Sequence, residues 1–179
     1  VCIMAKNSSK ISVVSIVMVA LVAVFLVLGI AGVCVDEYLK VEVADKTAYT
    51  ASFEQLTDDS EAYQDMKSEL KNAGAEDFTV ESGEKCSAAV AFGYLAIILS
   101  AVCLVMVILS LFFQGGLWGL LTLIAGIATV VIAIIMISTT SAYCALDPTE
   151  TLKFGTGAIL LAVGSIGAGA ATVVKKFVK

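Results

Sequence analysis

From Ser87 to Tyr143 the chain runs 57 residues without a charged side chain. As one helix this stretch would extend roughly 85 Å, nearly three times the ~30 Å hydrocarbon core of a bilayer. An apolar helix of that length is satisfied neither by water nor by a single membrane, so the run must fold back. Turn chemistry occurs at one place within it, Gln114-Gly115-Gly116, a polar amide followed by two glycines. Phe112, Phe113 and Trp118 flank that point, as aromatic side chains flank the headgroup level. The expectation is two antiparallel crossings, 87–113 and 117–143, joined by a hairpin at 114–116.

Two further uncharged runs, 11–35 and 154–174, also reach the ~20 residues a crossing needs, which makes four. Composition agrees: 59% of residues are hydrophobic and 15% charged, against about 45–50% and 25% in soluble domains. The first run is 25 residues long, beyond the ~7–15 of a signal-peptide core. No small-residue cleavage site stands out between Val33 and Leu39, so it reads as a retained helix.

All eleven basic residues are lysines. Lys6 and Lys10 precede the first crossing, and Lys175, Lys176 and Lys179 follow the fourth, with no acid beside them. The segment 36–86 instead holds five lysines and fourteen acids, a net −9 hidden within the chain's overall −5. Because basic residues near helix ends stay on the cytoplasmic side, both termini and the hairpin are expected inside. The loops 36–86 and 144–153 are then outside, and the plasma membrane is the expected location.

Cys34, Cys86 and Cys144 all fall at outer ends of crossings, on the oxidising side of this arrangement. Cys86 opens the second crossing and Cys144 closes the third, so antiparallel neighbours bring them within the ~7 Å Cα separation a disulfide requires. A Cys86–Cys144 bridge is expected, with Cys34 as competing partner. Cys103 lies mid-crossing and reads as a small apolar filler. No Cys-x-x-Cys pair and no histidine occur, so neither a metal site nor a bound cofactor is expected.

The first loop is patterned. Leu39, Val41 and Val43 alternate with Lys40, Glu42 and Ala44, and Tyr49, Ala51 and Phe53 with Thr50, Ser52 and Glu54, giving two half-buried strands. Asp58 with Glu61 starts a helix carrying Ala62, Tyr63, Met66, Leu70 and Ala73 at helical spacing, which Gly74 ends. Phe78 and Val80 form a third strand before Ser82-Gly83. The fold class is therefore a membrane all-α four-helix bundle with a small α+β extracellular domain, β-β-α-β, inserted between the first and second crossings.

No Asp, Glu, Lys, Arg or His lies inside any crossing. Such residues mark proton relays, coupled transport and voltage sensing, and histidine is the commonest general base. A pump, a coupled transporter and an enzyme are thus disfavoured. The fourth crossing carries one face of small residues, Ala158, Ala162, Ser165, Gly169 and Thr172, at steps of four and three. Small faces let helix backbones approach closely. Packing within the bundle and contact with another subunit both remain open for this face.

Four crossings, inner termini, a large strand-containing first outer loop, a short second one and a long third helix resemble the claudin and peripheral-myelin-protein superfamily. The resemblance is one of architecture along the whole chain. The claudin first loop carries a Trp, then Gly-Leu-Trp, then two cysteines. Here that loop has no Trp and one cysteine, Cys86, while Gly116-Leu117-Trp118 spells the tripeptide at the hairpin. No claudin functional residue is carried over. The expected function is a non-enzymatic tetraspan scaffold or adhesion-type protein. It would assemble with itself or with other membrane proteins through the extracellular domain and the small-residue face, without nucleic acid. An accessory subunit of a channel or energy-transducing complex, or an oligomeric pore, is the alternative.

Overall fold

The structure is a computed structural model that describes residues 13–43, 46–57, 68, 72, 81–113, 116–145 and 152–177. In chain order these form α1 (Val13–Cys34), β1 (Leu39–Val43), β2 (Lys46–Ala51), α2 (Phe53–Thr57), α3 (Glu81–Phe112), α4 (Gly116–Cys144), β3 (Leu152–Phe154) and α5 (Thr156–Phe177). Four helical spans are long and apolar enough to cross a membrane: Val13–Cys34, Ser87–Phe112, Gly116–Cys144 and Thr156–Phe177. They support an integral membrane protein of tetraspan architecture.

The long uncharged run divides where its turn chemistry lies, with α3 ending at Phe112 and α4 starting at Gly116. Gln114 and Gly115 fall outside the described residues. The Phe113 and Trp118 rings stack across the break, 5.0 Å apart. α3 packs along α4, and α5 lies against both α1 and α4.

At the other end of the bundle sits a three-stranded antiparallel sheet in the order β2-β1-β3. Leu39 stands opposite Ala51 on one side and Phe154 on the other. The third strand of this sheet comes from the loop between α4 and α5, an element not expected from the sequence. A central strand has two edges to satisfy, and Leu152–Phe154 supplies one of them. The expected strand at Phe78 and Val80 lies outside the described residues, as does the expected 58–74 helix apart from Ser68 and Asn72. Two further boundaries differ from expectation. β2 ends at Ala51 and Phe53 opens α2, while Ser82-Gly83 lies within α3 and is no turn.

Among the described residues the sheet shares its core with the helices. Tyr38, Leu39, Val41, Ala51, Phe53 and Leu152 form one buried cluster with Ala96, Met136, Tyr143 and Leu161 of the helices. The alternation along β1 therefore turns Leu39 and Val41 onto the bundle. A second cluster, Val22, Cys103, Val107, Ala168 and Ala171, fills the bundle toward the hairpin end.

Candidate functional site

At the glycines of α5, helix backbones come into direct contact. A Cβ added to Gly32 of α1 would lie 2.5 Å from the Gly157 carbonyl oxygen. One added to Gly164 would collide with the Gly29 backbone nitrogen, so α1 and α5 touch backbone to backbone. On the other flank a Cβ on Gly169 would meet the Gly126 oxygen of α4 at 2.8 Å. Ala158, Ser165, Gly169 and Thr172 are buried in these seams, and Ala162 is half-buried. Of the two readings left open for this face, packing within the bundle has direct contacts here: most of it lies against α1 and α4 of its own chain. Gly29 and Gly32 were missed as its counterparts, although a glycine pair three apart in a crossing signals close approach.

Apart from Ser165, the buried serine and threonine hydroxyls of the helices bond to carbonyls one turn back on their own helix, which keeps them satisfied where water is absent. Thr129 donates to the Ala125 carbonyl at 2.8 Å and Thr172 to the Ala168 carbonyl at 2.7 Å. Cys103 Sγ approaches Thr129 Oγ1 at 3.1 Å, which makes it a polar tie between α3 and α4 as well as a filler. Ser165 Oγ is buried and has no hydrogen-bond partner among the described residues.

At the hairpin end, Lys175 Nζ donates to the Val107 carbonyl at 2.6 Å and to Ser110 Oγ. Its stem lies along the bundle while its charge meets the last turns of α3, where the helix dipole favours a cation. The expected basic end of the chain therefore also fastens α5 to α3.

At the sheet end the linkage is both backbone and ionic. The Gly155 and Gly157 N–H groups donate to the carbonyls of Tyr38 and Glu37, at 2.9 and 2.8 Å. On the face of the sheet turned from the bundle, the Glu42 carboxylate receives Lys153 Nζ and Lys40 Nζ, each at 2.6 Å. Lys153 belongs to β3 and Glu42 to β1, so this fork spans both loops. Hydrogen bonds from Lys153 and then Lys40 pull the Glu42 pKa from 4.5 down to about 2, and bonding to Glu42 raises that of Lys40. A carboxylate lowered on folding stabilises the fold above its unfolded pKa and loses that contribution as pH falls toward the folded value. The joined loops should therefore weaken between about pH 4.5 and about pH 2. Glu42→Gln should flatten that part of the pH dependence, measured as the melting-temperature difference between about pH 6 and about pH 2. An identical difference in both proteins would remove the fork from the stability of the sheet.

The expected Cys86–Cys144 bridge is not found: among the described residues there is no disulfide, and Cys34 is an exposed free thiol. The Cys86 side chain lies outside the described residues. Among those residues, no three His, Cys, Asp or Glu side chains gather as a metal ion would need. No protein-family model, no curated protein and no solved structure matches the chain. The claudin resemblance therefore rests on architecture alone.

Proposed function

We propose that this chain is a non-enzymatic tetraspan scaffold of the adhesion type, whose sheet end presents a contact surface to other proteins or to copies of itself. The observation that carries this reading is the joining of two separate loops into one sheet, seated on the bundle by Tyr38, Leu39, Val41 and Phe53. Ordering costs entropy for every residue held, and a platform fixed in this way loses little more when it meets a partner. The helix seams hold the platform, so assembly is assigned to the sheet end and not to α5. In this reading the termini and the hairpin are cytoplasmic, and the sheet faces outward from the plasma membrane.

Charge then decides the partner. The segment 36–86 carries a net −9, so like copies repel at low salt and a basic partner is drawn in. Raising salt from about 0.05 to about 0.5 M shortens the screening length from roughly 14 to roughly 4 Å. Size-resolved chromatography in mild detergent should show a homo-oligomer that grows with salt. A stable hetero-complex that dissociates with salt would move the reading to an accessory subunit of a larger assembly. A monomer at every salt concentration would remove self-assembly.

A further inference from the structure

A groove of about 550 Å³ runs along α5 on the side that α1 and α4 leave open. Its floor is Ala158 and Ala162, and Phe25 of α1, Ile137 of α4 and Phe154 of β3 form its walls. Phe25 closes one end by resting against Gly167, where a Cβ would meet its ring. Ile159 and Val163 stand at the mouth, 55% and 49% exposed. They belong to a crossing helix, so the groove opens sideways into hydrocarbon and not into water.

The dimensions select the occupant. From Ala158 to Gly167 the floor extends about 14 Å at the helical rise, one leaflet's share of a ~30 Å core. It begins just beneath the sheet, since β3 ends at Phe154 and α5 starts at Thr156. Every lining side chain is hydrocarbon or glycine, which leaves no donor or acceptor for a headgroup. Nine residues line the groove, whereas a stable protein interface engages about 20–30 on each side. A second copy of the chain would need far more surface than this. A flexible hydrocarbon chain needs no more, and concave walls give it contacts that a convex helix surface lacks.

We propose that the groove seats one acyl chain of a phospholipid from the leaflet beside the sheet. Ala162, half-buried on the floor, is then small because a larger side chain would occupy the chain's path. The proposal rests on the membrane reading of the four helices and is independent of the scaffold function. It is tested with the full chain in phosphatidylcholine vesicles whose lipid carries a diazirine midway along one acyl chain. After irradiation, adducts are mapped by peptide mass spectrometry. Ile159, Ala162 and Val163 should be labelled about fivefold or more above Val24 and Val27 of α1, the ratio that roughly 1 kcal/mol of extra contact sets. Those two residues are 59% and 64% exposed, so simple accessibility would favour them. Ala162→Phe, and separately the milder Ala162→Leu, should bring the groove down to the α1 level. Even labelling of all exposed helix faces in the unmodified chain would overturn the proposal. So would cross-linking of Ile159→Cys to another copy, or loss of the groove adducts on adding a sterol to the vesicles.

Discussion

Gly164→Leu should break the bundle. The new side chain would have to occupy space held by the Gly29 nitrogen and the Phe25 carbonyl, which are backbone atoms and cannot rotate away. Overpacking against side chains typically costs about 1–3 kcal/mol. Here α1 must move off α5 as a unit, so the loss should reach the top of that range or exceed it. The expected observation is loss of the folded, monodisperse species in detergent and a melting temperature many degrees below the parent. Gly116→Ala is the matched control, because nothing among the described residues lies within 4 Å of the added methyl. It should be neutral or stabilise by about 0.4–1 kcal/mol through the unfolded state. If Gly164→Leu instead folds normally and only runs at a smaller size, α5 serves contacts between subunits and the packing described above is wrong.

Phe53→Ala should release the sheet from the helices while leaving the helices intact. The Phe53 ring is fully buried and meets Tyr38 and Tyr94 edge to face, at 4.9 and 5.0 Å. It also lies on bare α3 backbone, since a Cβ at Gly93 would come within 2.8 Å of it. Truncating a buried phenylalanine costs about 3–5 kcal/mol, with part of that from aromatic pairing. Among the described residues the small sheet shares the helices' core and has no second cluster to absorb such a loss. Protease cleavage within 36–86 should become rapid, while helical circular dichroism stays near the parent value. Unchanged cleavage would show that β1–β3 pairing and the Gly155 and Gly157 bonds hold the sheet without the ring. Salt-dependent assembly should also disappear in this variant if the seated sheet is the contact surface.

These two results concern different levels of information in the chain. The four crossings were legible because hydrophobic run length is a local property. A 57-residue uncharged stretch with one amide-glycine-glycine break admits one division, and α3 and α4 divide there. β1 was legible for the same reason, since Leu39 and Val41 alternate with Lys40 and Glu42 over enough residues to set a face. β3 was not. Three residues carry no readable period, and Leu152–Phe154 becomes a strand only because β1 offers it an open edge.

The small-residue face of α5 was visible as a stripe, but its partner was not. Ala158, Ser165, Gly169 and Thr172 would read identically whether they met α1 and α4 or another subunit, because periodicity reports a face and not what covers it. In the structure Gly29, Gly32 and Gly126 bring backbones of the same chain against this helix. The Lys153–Glu42 link joins residues 111 apart in sequence, and Lys175 reaches Val107 across 68. Hydrophobic run length and local periodicity therefore determined which segments enter the membrane and which strand has an inward face. Which edge, which seam and which charge meet was decided by tertiary packing, since those energies depend on distances between surfaces and not on neighbours along the chain.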